Sequence, residues 1–383
     1  MSVRFSDEQV VKATGGQRLR IGASASYPSV STDSRALPPG ALFVALKGER
    51  FDAHDFLDAA VEAGAGGLVV RRGAGASVSA RDVAVFEVDD TLAALGGLAR
   101  FHRRRFTLPL AAVGGSNGKT TTKEMLASIL ETRGATLKTA GNLNNEIGVP
   151  LTLFRLKPSH VAAVVEMGMN HRGEMARMTD IVEPNVGLLT VIQPEHLEGL
   201  GDLDGVAQAE GELFHHLPPT AHAIVNVDDA RIVEQAKACG RATLTFGRSS
   251  GADVRMESST PAGRSGTDVV VRAGGKSYPF RIALFGEHNA MNATAASLRP
   301  WRWGTPPKSV HAGSRPPQEP RDDSNSKERP KAFPCSTIAT TRTQNRCSLG
   351  SSRLRRCSKA ARASPCWATC WNWAPQKMPP TKP

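Results

Sequence analysis

The chain has 383 residues and a formal net charge of +12, a balance that by itself suggests a basic, nucleic-acid-binding protein. The charge is unevenly distributed, because residues 299–383 carry 17 Lys and Arg against 4 Asp and Glu. Residues 1–298 are nearly neutral, so the nucleic-acid-binding class rests on the tail alone. They contain one cysteine, Cys239, which excludes a disulfide framework and favours a reducing compartment. With no apolar signal core and no membrane-length run, we expect a cytoplasmic protein, monomeric by default, without membrane insertion.

The first segment, residues 1–85, is predicted to be a small α/β domain. Apolar strands at 41–46 and 67–70 flank a helix-like stretch at 56–63. Before them lies a polar turn made of Ser31, Thr32, Asp33, Ser34 and Arg35. Taken alone, this turn favours a surface loop over a ligand site. A helix at 91–101 and the basic HRRR at 102–105 follow, and we interpret the basic run as a solvated face.

The stretch 107–133, TLPLAAVGGSNGKTTTKEMLASILETR, is the most informative part of the chain. An apolar run at 108–113 predicts a strand, and the apolar spacing at 125–130 predicts a helix. Between them, the backbone of Gly114, Gly115, Ser116, Asn117 and Gly118 can cradle a polyphosphate at the helix N-terminus. We expect Lys119 to reach the β- and γ-phosphates of ATP and the Thr120 hydroxyl to hold Mg²⁺, with Thr121 beside them. The alternative is a glycine turn followed by a chance Lys-Thr, since a strict Walker pattern has glycine where Val113 stands.

Further βα units are predicted after the phosphate loop, with strands at 161–165, 186–192, 223–227 and 242–246. Residues 86–298 are therefore predicted to form a second α/β domain with a mainly parallel sheet. Glu166 follows one strand and His196 another, at the sheet edge where such folds bind ligands. A carboxylate and an imidazole there suit a divalent metal near ATP, although His196 alone would favour a capping or core role. The amides of Asn142, Asn144 and Asn145 alone would be an ordinary turn.

The tail, residues 299–383, does not resemble a folded domain. It holds all five tryptophans, five of the six cysteines and 13 of the 25 prolines, without sustained periodicity. Trp and Met have single codons, so the tail can be partly back-translated and translated in a shifted frame. In the shifted frame, residues 299–305, 336–347 and 366–374 give sequences that resemble those of folded proteins. Two of these shifted-frame sequences permit DDSYNANP and LGDMLELG. We infer that the coding frame slipped near residues 296–299, and we expect a disordered, non-native tail.

Six in-frame motifs resemble the Mur ligase family, in the order in which the family has them. They are STDSR with FVALKGERFDAHDF, GGSNGKTTTKE, GNLNNEIGVPLTL, VEMGMNHRGEM, EHLEGLGDLDGVA and GEHNAMNATAA. The resemblance is to the enzymes that join UDP-N-acetylmuramoyl-tripeptide to D-alanyl-D-alanine, and the shifted-frame strings resemble their C-terminal domain. The sister ligase that adds the third peptide residue shares fewer of these motifs and stays an alternative.

The resemblance implies a three-domain, ATP-dependent ligase of peptidoglycan precursor synthesis that works through an acyl phosphate. It makes the turn at 31–35 and the asparagines at 142–145 candidate contacts of the UDP substrate. It assigns Lys119, Glu166 and His196 to catalysis, and Asn289 and Asn292 to the surroundings of adenine. The implied Mg²⁺ ligands are Thr120, Glu166, His196 and Glu210. The frame slip leaves open that the chain is a catalytically dead remnant that only binds nucleotide.

Two positions depart from the family's pattern. Members usually have threonine where this chain has Gly114, which we expect to loosen the phosphate loop. Where they usually have a lysine that becomes carbamylated and helps to hold a second Mg²⁺, this chain has Glu210. Either the Glu210 carboxylate substitutes directly or the second metal site is weak.

Overall fold

The computed structural model describes residues 3–48, 51–79 and 82–298. The frame slip and the disorder predicted for residues 299–383 lie outside the described residues. In the part of the chain that the structure describes, no helix is both long and apolar enough to cross a membrane.

The N-terminal part is built on a five-stranded sheet. The described residues of this part contain seven strands, β1 (Phe5–Ser6), β2 (Gln17–Arg20), β3 (Ser26–Tyr27), β4 (Val30–Ser31), β5 (Leu42–Val44), β6 (Gly67–Arg71) and β7 (Ala84–Val88), five of which form the sheet. Its helices are α1 (Asp7–Thr14), α2 (Leu57–Glu62) and α3 (Thr91–Arg103). The sheet order is β2-β7-β6-β5-β4, parallel except for β2, while β1 and β3 form a separate antiparallel pair. The small α/β unit predicted from the alternation of strands and helix is confirmed.

Local sequence explains where two of these helices begin. Ser6 and Gln9 form a reciprocal capping box at the start of α1, which ends at Gly15 in the left-handed conformation. The Asp90 carboxylate accepts hydrogen bonds from the backbone N–H groups of Leu92 and Ala93 and so begins α3.

The second part is built on a nine-stranded sheet that contains the predicted phosphate loop. Its strands are β8 (Leu110–Gly114), β9 (Thr136–Lys138), β10 (Ala162–Glu166), β11 (Val186–Leu189), β12 (His222–Asn226), β13 (Ala242–Gly247), β14 (Val254–Pro261), β15 (Thr267–Ala273) and β16 (Lys276–Ile282). Its helices are α4 (Lys119–Glu131), α5 (Gly148–Leu153), α6 (Glu174–Val182), α7 (Leu197–Leu200), α8 (Leu203–His215), α9 (Ala230–Cys239) and α10 (Glu287–Ser297).

The strand order in this sheet is β16-β15-β14-β13-β12-β11-β8-β10-β9, parallel from β9 to β14 and antiparallel beyond. After β8 the chain builds β9 and β10 on one side and then β11 to β13 on the other. The C-terminal end of β8 therefore lies where the winding direction reverses, the place where open parallel sheets bind ligands. Strands β8 and β10 are buried along their whole length, as expected for the centre of a sheet covered on both faces.

The interpretation of residues 102–105 as a solvated face is wrong for half of the run. Helix α3 continues to Arg103, and both His102 and Arg103 are buried. The Arg103 guanidinium donates to the backbone oxygens of Val182 (3.0 Å) and Glu183 (3.3 Å) at the end of α6. A cation is favourable there because the helix C-terminus exposes unpaired carbonyls. The run therefore holds two helices together.

The antiparallel strands β14 to β16 were not among the sequence predictions. Their signal was present, because side chains in β15 alternate between buried and more exposed positions and Gly274-Gly275 separates β15 from β16.

Candidate nucleotide-binding site

The segment predicted to bind phosphate, residues 114–118, connects β8 to α4 as expected and is called the phosphate loop below. Gly115 (φ 110°) and Gly118 (φ 84°) adopt backbone conformations that disfavour a β-carbon. A Cβ at Gly115 would also lie 2.2 Å from Thr190 Oγ1, and one at Gly118 would lie 2.5 Å from Asn292 Oδ1. Glycine is thus required at position 115 by conformation and by space, and at position 118 by conformation.

The segment after β11 holds the phosphate loop in place. The Thr190 hydroxyl donates to the Asn117 carbonyl (2.6 Å), and the Ser116 hydroxyl donates to the Gln193 carbonyl (2.9 Å). The Ser116 N–H donates to the Val191 carbonyl (2.8 Å). These bonds fix the shape of the loop through contacts of the protein itself, which lowers the entropic cost of binding a ligand there.

Lys119 is the first residue of α4, and its ammonium group lies across the phosphate loop. Its Nζ donates to the carbonyls of Gly115 (2.6 Å) and Ser116 (3.2 Å) and lies 3.8 Å from a carboxylate oxygen of Glu195. The positive charge is therefore held beside the backbone that would surround a phosphate group. That Lys119 reaches the phosphates of ATP stays a prediction. Thr121, two residues into the same helix, is half-buried.

Glu166 and Thr120 are brought together although they are far apart in sequence. Glu166 ends β10, the strand beside β8, and its Oε1 accepts hydrogen bonds from Thr120 Oγ1 (3.1 Å) and Asn144 Nδ2 (3.0 Å). Three of the predicted site residues thus form one polar cluster next to the phosphate loop. Asn145, in contrast, accepts from the backbone N–H groups of Ile147 and Gly148 at the start of α5, and Asn142 lies exposed in the same loop.

Lys123 belongs to this cluster but was not among the sequence predictions. It is 1% exposed, and its Nζ lies 3.4 Å from Glu166 Oε2 while donating to the Thr139 carbonyl at 3.0 Å. The signal in the sequence was its spacing: four residues after Lys119, it lies on the same face of α4. The buried ammonium balances the charge of the buried Glu166 carboxylate.

His196 lies at the start of the short helix α7 in the left-handed conformation (φ 49°), with an exposed side chain. Its neighbour Glu195 is the residue that reaches Lys119. Within residues 3–48, 51–79 and 82–298, no group of three or more His, Cys, Asp or Glu side chains could hold a metal ion. The predicted role of His196 as a metal ligand stays a prediction.

Glu210 is wholly buried on α8 and contacts the phosphate loop. Its Oε2 accepts a hydrogen bond from the Gly115 N–H at 2.8 Å. Burial raises the pKa of the Glu210 carboxyl to about 7, and nearby Glu195 adds to the rise, whereas the charge of Lys119 and the Gly115 N–H oppose it. The predicted role of Glu210 as a metal ligand stays a prediction.

Oxygen atoms next to the phosphate loop are of the kind that a hard divalent cation prefers. Thr120 offers a hydroxyl, and Glu166 Oε2 and Glu210 Oε1 are buried without a hydrogen-bond partner. Mg²⁺ prefers oxygen ligands and is usually held by one or two carboxylates together with phosphate groups. On this chemistry, Thr120 and the two carboxylates suit Mg²⁺ better than the imidazole of His196 does.

The two predicted adenine-site asparagines lie on α10. Asn292 packs against Gly118 of the phosphate loop, and its amide donates to Asn289 Oδ1 at 3.4 Å. The amide of Asn289 donates to the Phe285 carbonyl at 2.8 Å. The middle of α10 is thereby placed at the loop.

Polar side chains of the predicted UDP-substrate turn form hydrogen bonds within the turn. Asp33 and Arg35 form two side-chain hydrogen bonds of 2.9 Å, and these bonds lower the pKa of Asp33 to about 2. The Ser31 hydroxyl accepts from the Asp33 N–H, and the turn continues into a short 3₁₀ helix, Ser34–Ala36. Thr32 is half-buried between them. These local bonds account for the polar residues structurally, and their contact with a substrate stays a prediction.

The fold is that of an α/β protein with a glycine-rich strand-to-helix loop at the switch point of a parallel sheet. Comparison with known proteins assigns the family: the Mur ligase middle domain matches residues 113–298, and the Mur ligase family catalytic domain matches residues 26–103. The chain belongs to the Mur ligase family.

Relatives and solved structures agree with this assignment. The UDP-N-acetylmuramoyl-tripeptide–D-alanyl-D-alanine ligase of Escherichia coli (strain K12) is 41% identical over 293 residues, which cover 76% of this chain and 64% of that protein. A crystal structure of MurF from Acinetobacter baumannii matches with a TM-score of 0.71 and 38% identity, covering 78% of this chain and 64% of that one. MurF ligase from Thermotoga maritima in complex with ADP matches with a TM-score of 0.63 and 29% identity, covering 70% and 61%. The chain spans 56% to 64% of the length of the first three curated relatives.

Proposed function

We propose that residues 1–298 are the substrate- and ATP-binding parts of an ATP-dependent ligase that adds D-alanyl-D-alanine to UDP-N-acetylmuramoyl-tripeptide. The observation that carries the proposal is the Thr120–Glu166 contact beside the phosphate loop, with Lys119 across that loop. The 41% identity to a ligase of this name supports the substrates. In this division, residues 1–85 receive the UDP-sugar through the turn at 31–35, and residues 86–298 bind ATP.

Each residue of the site has a distinct task in this proposal. ATP with Mg²⁺ supplies the phosphoryl group that activates the peptide carboxylate and the positive charge that offsets the phosphates. The loop backbone and Lys119 orient the phosphates and stabilise the charge that develops on the transferring group. Thr120 and Glu166 would bind Mg²⁺, and His196 and Glu210 are further candidate ligands of the ion. Asn289 and Asn292 line the nucleotide side.

A second candidate function is nucleotide binding without ligation. It is favoured by the composition of residues 299–383, which carry 13 prolines and a large excess of basic residues. The match to the middle domain ends at residue 298, where that composition begins. If the frame slip is real, no C-terminal domain closes over the acyl phosphate, excludes water or positions the D-alanyl-D-alanine amine. The sister ligase that adds the third peptide residue is tested by the same assay.

The test is phosphate release by two proteins, the 383-residue chain and a chain whose reading frame is restored near codon 297. We expect release that depends on UDP-N-acetylmuramoyl-tripeptide and D-alanyl-D-alanine from the restored chain only. Full activity of the 383-residue chain would contradict the interpretation of the tail. An inactive restored chain would contradict the ligase, and activity only with UDP-N-acetylmuramoyl-dipeptide and a diamino acid would favour the sister enzyme.

The proposal includes a cytoplasmic monomer. A cytoplasmic location suits the free thiol of Cys239. Light scattering of the purified chain and fractionation of cells that express it test the two statements.

A further inference from the structure

Gly114, the last residue of β8, lies against the buried carboxylate of Glu210. A Cβ built on Gly114 would be 2.8 Å from Glu210 Oε2, closer than real Cβ contacts come. The same Oε2 accepts the hydrogen bond of the Gly115 N–H at 2.8 Å. The carboxylate therefore fills the space that a side chain at position 114 would need.

Space, and not backbone conformation, explains glycine at position 114. Gly115 and Gly118 have positive φ angles, whereas Gly114 does not. Its backbone therefore accepts an L-residue without conformational strain. A Cβ at this position would also meet the side chains of Leu189 at 3.0 Å and Met175 at 3.4 Å, which can adjust. Glu210, wholly buried and bonded to the loop, is the neighbour that cannot move without losing its hydrogen bond.

We infer that Gly114 and Glu210 act as one unit that positions the phosphate loop: Glu210 holds the Gly115 amide, and Gly114 leaves room for it. The two departures from the family's pattern thereby compensate each other. The loop that glycine at 114 would loosen is tied instead to α8 through a carboxylate. Because the Gly115 N–H is bound by Glu210, we expect the remaining loop amides and Lys119 to bind the phosphates.

The expected effect of these residues on nucleotide affinity rests on the proposed function, whereas their expected effect on the free energy of unfolding does not. The test is a double-mutant cycle in the full chain with Gly114→Ala, Glu210→Ala and the double variant. Two quantities are measured: the free energy of unfolding without nucleotide, and the affinity for ADP with Mg²⁺ by calorimetry. Side chains in contact give non-additive effects, whereas independent sites add.

We expect Gly114→Ala to weaken ADP binding roughly tenfold in the wild-type background and less than about threefold in the Glu210→Ala background. The free energy of unfolding is expected to follow the same pattern: Gly114→Ala lowers it more in the wild-type background than in the Glu210→Ala background. Glu210→Gln, which keeps an acceptor oxygen for the Gly115 N–H, is expected to lose less affinity than Glu210→Ala. If Gly114→Ala fails to fold, the double variant is expected to regain folding.

Glu212 provides the matched control, two residues further along α8. Its carboxylate accepts from the backbone N–H groups of Gly173 and Ala176 at the start of α6. Glu212→Ala is therefore expected to lower stability without changing ADP affinity. Additive effects of the Gly114 and Glu210 substitutions, or equal losses of ADP affinity in Glu212→Ala and Glu210→Ala, would overturn the inference. A wild-type chain that does not bind ADP would refute the proposed function. The free energies of unfolding of the four proteins would still show whether Gly114 and Glu210 are coupled.

Discussion

Replacing Lys123 with methionine tests how the buried Glu166 is held. Methionine keeps the length and apolar stem of lysine but removes the ammonium, which lies 3.4 Å from Glu166 Oε2 and bonds to the Thr139 carbonyl. Both side chains of the ion pair are nearly inaccessible to water, at 2% and 3% exposure. The substitution therefore leaves a carboxylate buried without its cation.

The expected cost follows from that burial. Removing one partner of a buried ion pair typically costs about 3–5 kcal/mol, because the remaining charge stays desolvated. For a domain of this size, a loss of that order lowers the Tm by on the order of 10 °C. Lys138 is the matched control, since it pairs at 2.8 Å with Glu124, which Lys123 also contacts at 3.1 Å, but is itself partly exposed. Exposed pairs contribute about 0–1 kcal/mol, so Lys138→Met is expected to change the Tm by only a few degrees.

The assay combines thermal unfolding with calorimetry of ADP and Mg²⁺ binding. Lys123→Met is expected to weaken binding about tenfold or more, because Glu166 loses the contact that orients its carboxylate toward Thr120. Lys138→Met is expected to bind like the wild type. Equal effects of the two substitutions on both Tm and affinity would refute the reasoning that burial makes Lys123 the positioning residue for Glu166.

Three further predictions concern the loop lysine, a buried histidine and the tail. Lys119→Ala should abolish binding of ATP with Mg²⁺ in calorimetry while the exposed Lys157→Ala does not; equal affinities would contradict the phosphate-loop interpretation. Burial lowers the pKa of His102 to about 4 from an ordinary 6.5, so the unfolded chain binds more protons between these values. Stability should therefore fall by up to about 3 kcal/mol as the pH drops through that window, and His102→Leu should remove this slope in urea titrations. The nucleotide sequence around codons 290–300 should reveal the frame slip, and an intact frame there would refute it.

Much of the fold follows from local patterns in the sequence. The apolar run before Gly114 and the helical spacing after Lys119 predicted β8 and α4, because strand and helix periodicities are properties of short segments. The same stretch predicted a glycine-rich loop between them, and the structure shows positive φ angles at Gly115 and Gly118. Because open parallel sheets bind ligands at the carboxyl ends of their strands, the sequence also predicted that Glu166 lies near the loop.

The tertiary structure decided which polar groups are buried and what they bind. Glu166 meets Thr120 across 46 residues and Glu210 meets Gly115 across 95, so no local pattern records either contact. The same holds for Lys123, whose burial depends on β9 and β10, and for Arg103, whose partners lie at the end of α6. The sequence by itself determined the central strands and the loop between β8 and α4, because these depend on neighbours along the chain. Only the packing of distant segments determined the charge balance of the site, because desolvation depends on everything that surrounds a group.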